Sequence, residues 1–154
     1  MKDLEAFYKT QAGRDAIGQR SLYLLRNADR EEKGLGFALA GNFYPDFLLW
    51  LVDDNTGEQW LSFVDPKGIR QMDLKHQKLG LYKEVKTLEA DLQKQAKPGD
   101  AKLTLNAFIL SPTKFADLLN VGDPAKKKEL EERHVLFMED GAREYLEKMF
   151  TRIV

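Results

Sequence analysis

Two apolar runs joined by a short polar turn constrain this 154-residue chain more than any other feature. The runs are Phe47–Val52, reading Phe-Leu-Leu-Trp-Leu-Val, and residues 60–64, reading Trp-Leu-Ser-Phe-Val. Between them, Asp53-Asp54-Asn55-Thr56-Gly57-Glu58 is rich in turn formers, so the pair predicts a hairpin. Both arms are apolar on both faces, which marks strands covered on two sides rather than strands with one wet face. Such a hairpin belongs inside a sheet with structure packed above and below it.

Each arm also delivers a carboxylate at its outer end. Asp46 stands just before the first run and Asp65 just after the second. Arms of about equal length fold Asp65 back beside Asp46. Lys67 lies two positions beyond Asp65, and side chains alternate along a strand, so Asp65 and Lys67 share a face while Pro66 points away. A carboxylate ending an apolar strand is desolvated at a real cost, which a metal ion or a partner cation would offset. Two acids and one lysine form a minimal set for holding a divalent cation against a phosphodiester. Each motif alone also has a structural reading. Tyr44-Pro45-Asp46 suits the start of a strand, and Asp65-Pro66-Lys67-Gly68 suits a turn after one. Their joint occurrence at hairpin distance favours the functional reading.

Pro45-Asp46, then 18 residues, then Asp65-Pro66-Lys67 resembles the motif of the PD-(D/E)XK nuclease superfamily. Further words extend the likeness: Leu22-Tyr23-Leu24-Leu25-Arg26-Asn27, Gly34-Leu35-Gly36-Phe37, Asn42-Phe43-Tyr44-Pro45-Asp46-Phe47, Phe63-Val64-Asp65-Pro66-Lys67-Gly68 and Leu105-Asn106-Ala107-Phe108-Ile109-Leu110-Ser111. Together they resemble the endonuclease-like domain at the C-terminal end of large DEAD/DEAH-type helicases, related to the restriction subunit of type III restriction enzymes. The resemblance covers residues 20–115. It implies a restriction-endonuclease-like fold in which Asp46 and Asp65 ligate Mg²⁺, with the Pro66 backbone carbonyl as a third protein oxygen and Mn²⁺ able to substitute. It further implies that Lys67 steadies the attacking water or the charge growing on the phosphate. Mg²⁺ suits such a site because it takes few carboxylates and keeps several waters. The implied partners are DNA and a helicase ATPase domain in the same or a partner chain. Many relatives add a Glu on a helix ahead of the sheet. Glu5, in Leu4-Glu5-Ala6-Phe7, is the available position, and the expectation otherwise is that this Glu lies upstream in a longer helicase–nuclease.

Length and a 43% hydrophobic composition fit one domain over residues 1–154. The chain has no cysteine, which excludes disulfides and thiolate metal sites. It has no apolar run of about 18 residues to span a membrane. No secretory leader is legible at Met1-Lys2-Asp3, so the expected location is the cytoplasm. Net charge is −1, yet its distribution is uneven. Residues 1–65 hold 7 Lys/Arg against 11 Asp/Glu, whereas residues 66–98 hold 8 against 4. The basic excess therefore starts at the candidate site and runs down the helix that follows, where phosphate contacts would need it. An excess this modest predicts weak DNA affinity, with a partner domain supplying most of the grip.

The coarse reading is α/β, a central mixed sheet flanked by helices. A helix is predicted over 3–19 with an interruption near Gly13, then strands over 22–25 and 36–40, then the hairpin. Leu74, Leu81, Val85, Leu88 and Leu92 recur at helical spacing and predict a helix over 73–96, ended by Lys97-Pro98-Gly99-Asp100. A strand follows over 103–110, short helices over 111–119 and from Asp123-Pro124 to Arg133, a strand over 135–138 and a helix over 141–152. Lys78 falls on the apolar stripe of helix 73–96, where snorkelling to solvent is favoured over a phosphate contact. His76 and His134 have no partners at metal-ligand spacing and read as structural or exposed. Gln77 and Tyr82 resemble a Gln/Tyr helix motif of some relatives, but their separation is off by one and no role is carried over to them. Lys126-Lys127-Lys128 followed by Glu129, Glu131 and Glu132 reads as a solvated helix face, and Trp50 and Trp60 read as core. The expected function is a Mg²⁺-dependent DNA endonuclease domain. The alternatives are a catalytically inactive module of the same fold that docks DNA or a helicase, and a protein-interaction domain whose acidic pair is structural.

Overall fold

The computed structural model describes residues 2–27, 44–71, 75–119 and 124–154. The elements follow the order α1 (Lys2–Tyr8), α2 (Gln11–Ile17), β1 (Ser21–Arg26), β2 (Phe47–Val52), β3 (Gln59–Pro66), α3 (Leu81–Gln95), β4 (Leu103–Ser111), α4 (Pro124–Glu132), β5 (Val135–Phe137) and α5 (Ala142–Ile153). The strands form one mixed sheet of five in the order β1-β2-β3-β4-β5. β2 runs antiparallel to both β1 and β3, and β4 lies parallel to β3 after the α3 crossover. β5 adds parallel to β4. Among the described residues no helix is long and apolar enough to cross a membrane.

The hairpin forms as its residues predict. In its turn the Asp53 carboxylate accepts the Asn55 and Thr56 amides at 2.9 and 3.1 Å, and Gly57 takes a φ of 73° that a side chain would resist. These backbone donors hold the Asp53 carboxyl below its ordinary value. Both faces of the hairpin are covered, which explains its two-sided apolarity. Leu49, Leu51, Trp60 and Val64 pack in one cluster with Phe7, Ile17 and the α5 residues Tyr145, Leu146, Met149 and Phe150. Phe63 packs on the other face against Leu81 and Val85 of α3, beside Leu105 and Ala107. A further cluster joins Ile69, Leu79, Ile109, Leu118, Leu130, Val135 and Phe137.

Several boundaries differ from the sequence reading, each for a local reason. The first helical stretch is two helices, and it breaks at Lys9 and Thr10 rather than at Gly13. The Thr10 hydroxyl donates to the Phe7 carbonyl at 2.7 Å and accepts the Gly13 amide at 3.0 Å, which caps the new helix. Gly13 lies inside α2, where a Cβ would come within 2.0 Å of the Phe7 carbonyl oxygen. Glycine there is what lets α2 seat against the end of α1. The long helix starts at Leu81, later than periodicity suggested, because His76 instead caps a 3-10 turn, Gln77–Gly80, through its ring nitrogen and the Lys78 amide at 3.2 Å. Over 111–119 only the 3-10 turn Phe115–Asp117 forms, since Ser111 stays in β4 and its hydroxyl donates to the Thr113 carbonyl at 2.9 Å. The strand predicted over 36–40 and Leu74 lie outside the described residues.

β5 pairs with β4 only from Ile109 to Ser111, and side chains complete the outer edge of β4 upstream. Glu89 accepts the Leu105 amide at 2.5 Å, and His134 Nδ1 lies 3.1 Å from the Ala107 carbonyl oxygen with its ring stacked on Phe108. Unpaired strand groups are costly when buried, which gives both side chains a structural task.

Candidate active site

The β2–β3 register decides where the two acids lie. Phe47 pairs with Val64 at the end of the β2–β3 ladder, so Asp46 and Asp65 each lie one residue beyond that pair, and the Asp46 charge is felt at the Asp65 carboxyl. The register of β1 extends this row, because Arg26 pairs with Phe47 and the Asn27 amide donates to the Asp46 carbonyl at 2.8 Å. The Asn27 side chain is buried and donates to the Pro45 carbonyl at 2.9 Å. Asn27 thus ties Pro45-Asp46 to the end of β1 by two bonds.

The two carboxylates have unlike surroundings. Asp46 is exposed, whereas Asp65 is 4% exposed. Burial pushes the Asp65 carboxyl above its ordinary value, Lys78 pulls it back in part, and the Asp46 charge adds to the rise. Lys67 contributes a weaker pull on the same carboxylate. Pro66 lines a pocket of about 350 Å³ with Phe47, Val64 and Leu110 on the α5 face, and Lys67 is exposed just past the end of β3. The Lys67 amide donates to the Leu110 carbonyl at 3.0 Å, which fixes the backbone of Pro66-Lys67 to β4.

Lys78 is in contact with Asp65. Its ammonium donates to Asp65 Oδ2 at 3.4 Å, so the side chain turns inward rather than to solvent. Neither Lys78 nor Asn27 stood out in the sequence as a site residue. The sequence places Lys78 on a helix stripe that turns it to solvent, and the tie made by Asn27 spans a long connection. The 3-10 turn that carries Lys78 also borders an open cleft of about 520 Å³ lined by Lys75, His76, Tyr82, Lys83, Glu84 and Arg133. Of the basic residues in 66–98, Lys78 thus reaches Asp65, and Lys75 and Lys83 line the adjoining cleft.

Glu5 is not brought to the pair. It is exposed on α1, on the α1–α5 side of the sheet, and shares a cleft with Tyr8, Lys9, Arg20 and β1 residues. Among the described residues no group of three or more His, Asp or Glu is placed to hold a metal. The pair itself suits a hard cation. It offers oxygen donors only, and one of them is a desolvated carboxylate with Lys78 at 3.4 Å. No family model, curated protein or solved structure matches the chain.

Proposed function

We propose that the chain is a metal-dependent DNA endonuclease domain of PD-(D/E)XK type, with a restriction-endonuclease-like fold, that works in the cytoplasm beside a helicase motor. One observation supports this reading: Asp46 lies one residue beyond the last β2–β3 pair, and its charge reaches a buried Asp65 whose ionised form burial disfavours. The succession of α1 and α2, three antiparallel strands, α3 and a parallel β4 is compatible with that fold. Asp46, Asp65 and the Pro66 carbonyl would hold Mg²⁺ or Mn²⁺. When bound, the ion supplies a more acidic water and shields phosphate charge.

The protein's own residues then have distinct tasks. Asn27 orients Asp46 through the Pro45-Asp46 backbone. Lys67 offers a positive donor at the mouth of the site, where charge builds on the phosphate oxygens. Lys75, Lys83 and Arg133 line a cleft suited to neighbouring phosphates, which position the strand without reading its sequence.

The test is cleavage of duplex, single-stranded and forked DNA, with and without a chelator, using the helicase-linked protein where one exists. Lys67→Ala should abolish metal-dependent cutting, by roughly 10²-fold or more, while leaving Mg²⁺ binding and weak DNA binding intact. A Lys67→Ala protein that cuts like its parent removes the lysine from the chemistry. No metal-dependent cutting by the parent on any substrate removes the nuclease reading. In that case a non-catalytic docking module of the same fold takes its place, a reading favoured by the position of Glu5 on the opposite layer.

A further inference from the structure

Lys78 and Asp65 form an ion pair where a divalent cation would have to sit. The Lys78 ammonium carries three donors and no acceptor, so it cannot join a metal's ligand shell. It lies 3.4 Å from Asp65 Oδ2, longer than the roughly 2.7–2.9 Å of a close charge-assisted bond. The side chain of Asp65 is 6% exposed and that of Lys78 is 24% exposed, so the ammonium approaches from the solvent side of a nearly closed carboxylate. Its backbone is held by the His76 cap on the 3-10 turn, a few residues ahead of α3, so the stem is anchored at its base. Next to it lies the basic cleft of Lys75, Lys83 and Arg133.

From this geometry we infer that Lys78 is a placeholder cation. Its ammonium neutralises Asp65 while no metal is bound, gives up Oδ2 when a divalent ion arrives, and turns to the phosphate brought in at the same mouth. The inference rests on the metal-site reading above and assigns a different task to each lysine. Lys67 acts only once phosphate is present, whereas Lys78 also governs the metal-free state. Two cations on one carboxylate repel, so Lys78 and the metal compete for Asp65. The cost of leaving a buried carboxylate bare explains why a competitor is retained there.

Two measurements on the whole chain test this without DNA or turnover. In Lys78→Met, which keeps the apolar stem, Mg²⁺ should bind more tightly by roughly tenfold, the size of one charge-assisted bond that no longer has to break. The metal-free melting temperature should fall, and saturating Mg²⁺ should restore it. In the unmutated protein, acylation of Lys78 by an amine-directed reagent, read by mass spectrometry against Lys86, should speed up when Mg²⁺ is added. This second measurement stands even if Lys78→Met does not fold. Unchanged or weaker Mg²⁺ affinity in Lys78→Met overturns the placeholder role, as does Lys78 acylation indifferent to a Mg²⁺ concentration that raises the parent's melting temperature. If the parent shows no Mg²⁺ effect that Asp65→Asn removes, the metal reading fails and this inference fails with it. If that effect is present and only the Lys78 results are negative, the metal reading survives alone.

Discussion

Asp65 must be ionised to hold a cation, yet the fold makes ionisation costly. Burial raises its pKa, the facing Asp46 adds to the rise, and Lys78 offsets only part of it. A carboxyl with a raised folded-state pKa contributes stability at low pH that is lost as pH rises through that value. At neutral pH Asp65 is therefore a net liability to the metal-free protein. Asp65→Asn should raise the metal-free melting temperature, by about 1 kcal/mol or roughly 2–4 °C for a domain of this size, and should abolish the response to Mg²⁺. Asp46→Asn, at an exposed position, should abolish the same response with little change in the metal-free value. Thermal melts with and without Mg²⁺ check both, and an Asp65→Asn protein that melts lower than its parent would contradict the liability. The acidic pair was legible in the sequence because hairpin register follows from arm length and turn chemistry, both of which are local. Asn27 was not, because its bonds to Pro45 and Asp46 depend on how β1 docks on β2 across a long connection.

The elements show the same division between local and distant causes. Strands β2, β3 and β4 were legible because continuous apolar runs admit few alternatives, and α5 because its apolar positions repeat at helical spacing. The start of α3 was misread because apolar periodicity continued through residues that His76 instead folds into a 3-10 turn. The same shift hid Lys78, whose direction belongs to that turn and not to a helix stripe. The edge of β4 offers a test with a pH readout. Burial pushes the His134 pKa below its ordinary 6.5, with Arg152 and Lys86 adding to the fall and the Ala107 carbonyl opposing it. The unfolded chain therefore takes up a proton before the folded one, so the stability contributed by His134 is present above pH 6.5 and is lost as pH falls through the depressed value. The parent should lose melting temperature between pH 7 and 5. His134→Asn, whose side chain tolerates the positive φ of 61° at this position, should show a flatter profile. Identical slopes in the two proteins would remove His134 from the account.

At the scale of the whole molecule, the sheet separates two jobs. One face is sealed by α1, α2 and α5, while the α3 face ends at Asp65, Lys78 and the basic cleft. The basic excess that begins at residue 66 is only in part gathered there, through Lys75, Lys78 and Lys83. β3 is the middle strand of five and is bonded to a neighbour on both sides along its length. That position sets a timescale. Amides of residues 61–65 can meet deuterium only when the whole sheet opens, whereas those of β1, bonded on one side among the described residues, can do so through smaller fluctuations. Hydrogen exchange should find residues 61–65 among the slowest and β1 faster by orders of magnitude, and equal rates would contradict it. Asp65 thus sits at the end of the strand expected to open last, so a variant or solvent that loosens the periphery should leave the surroundings of this acid in place.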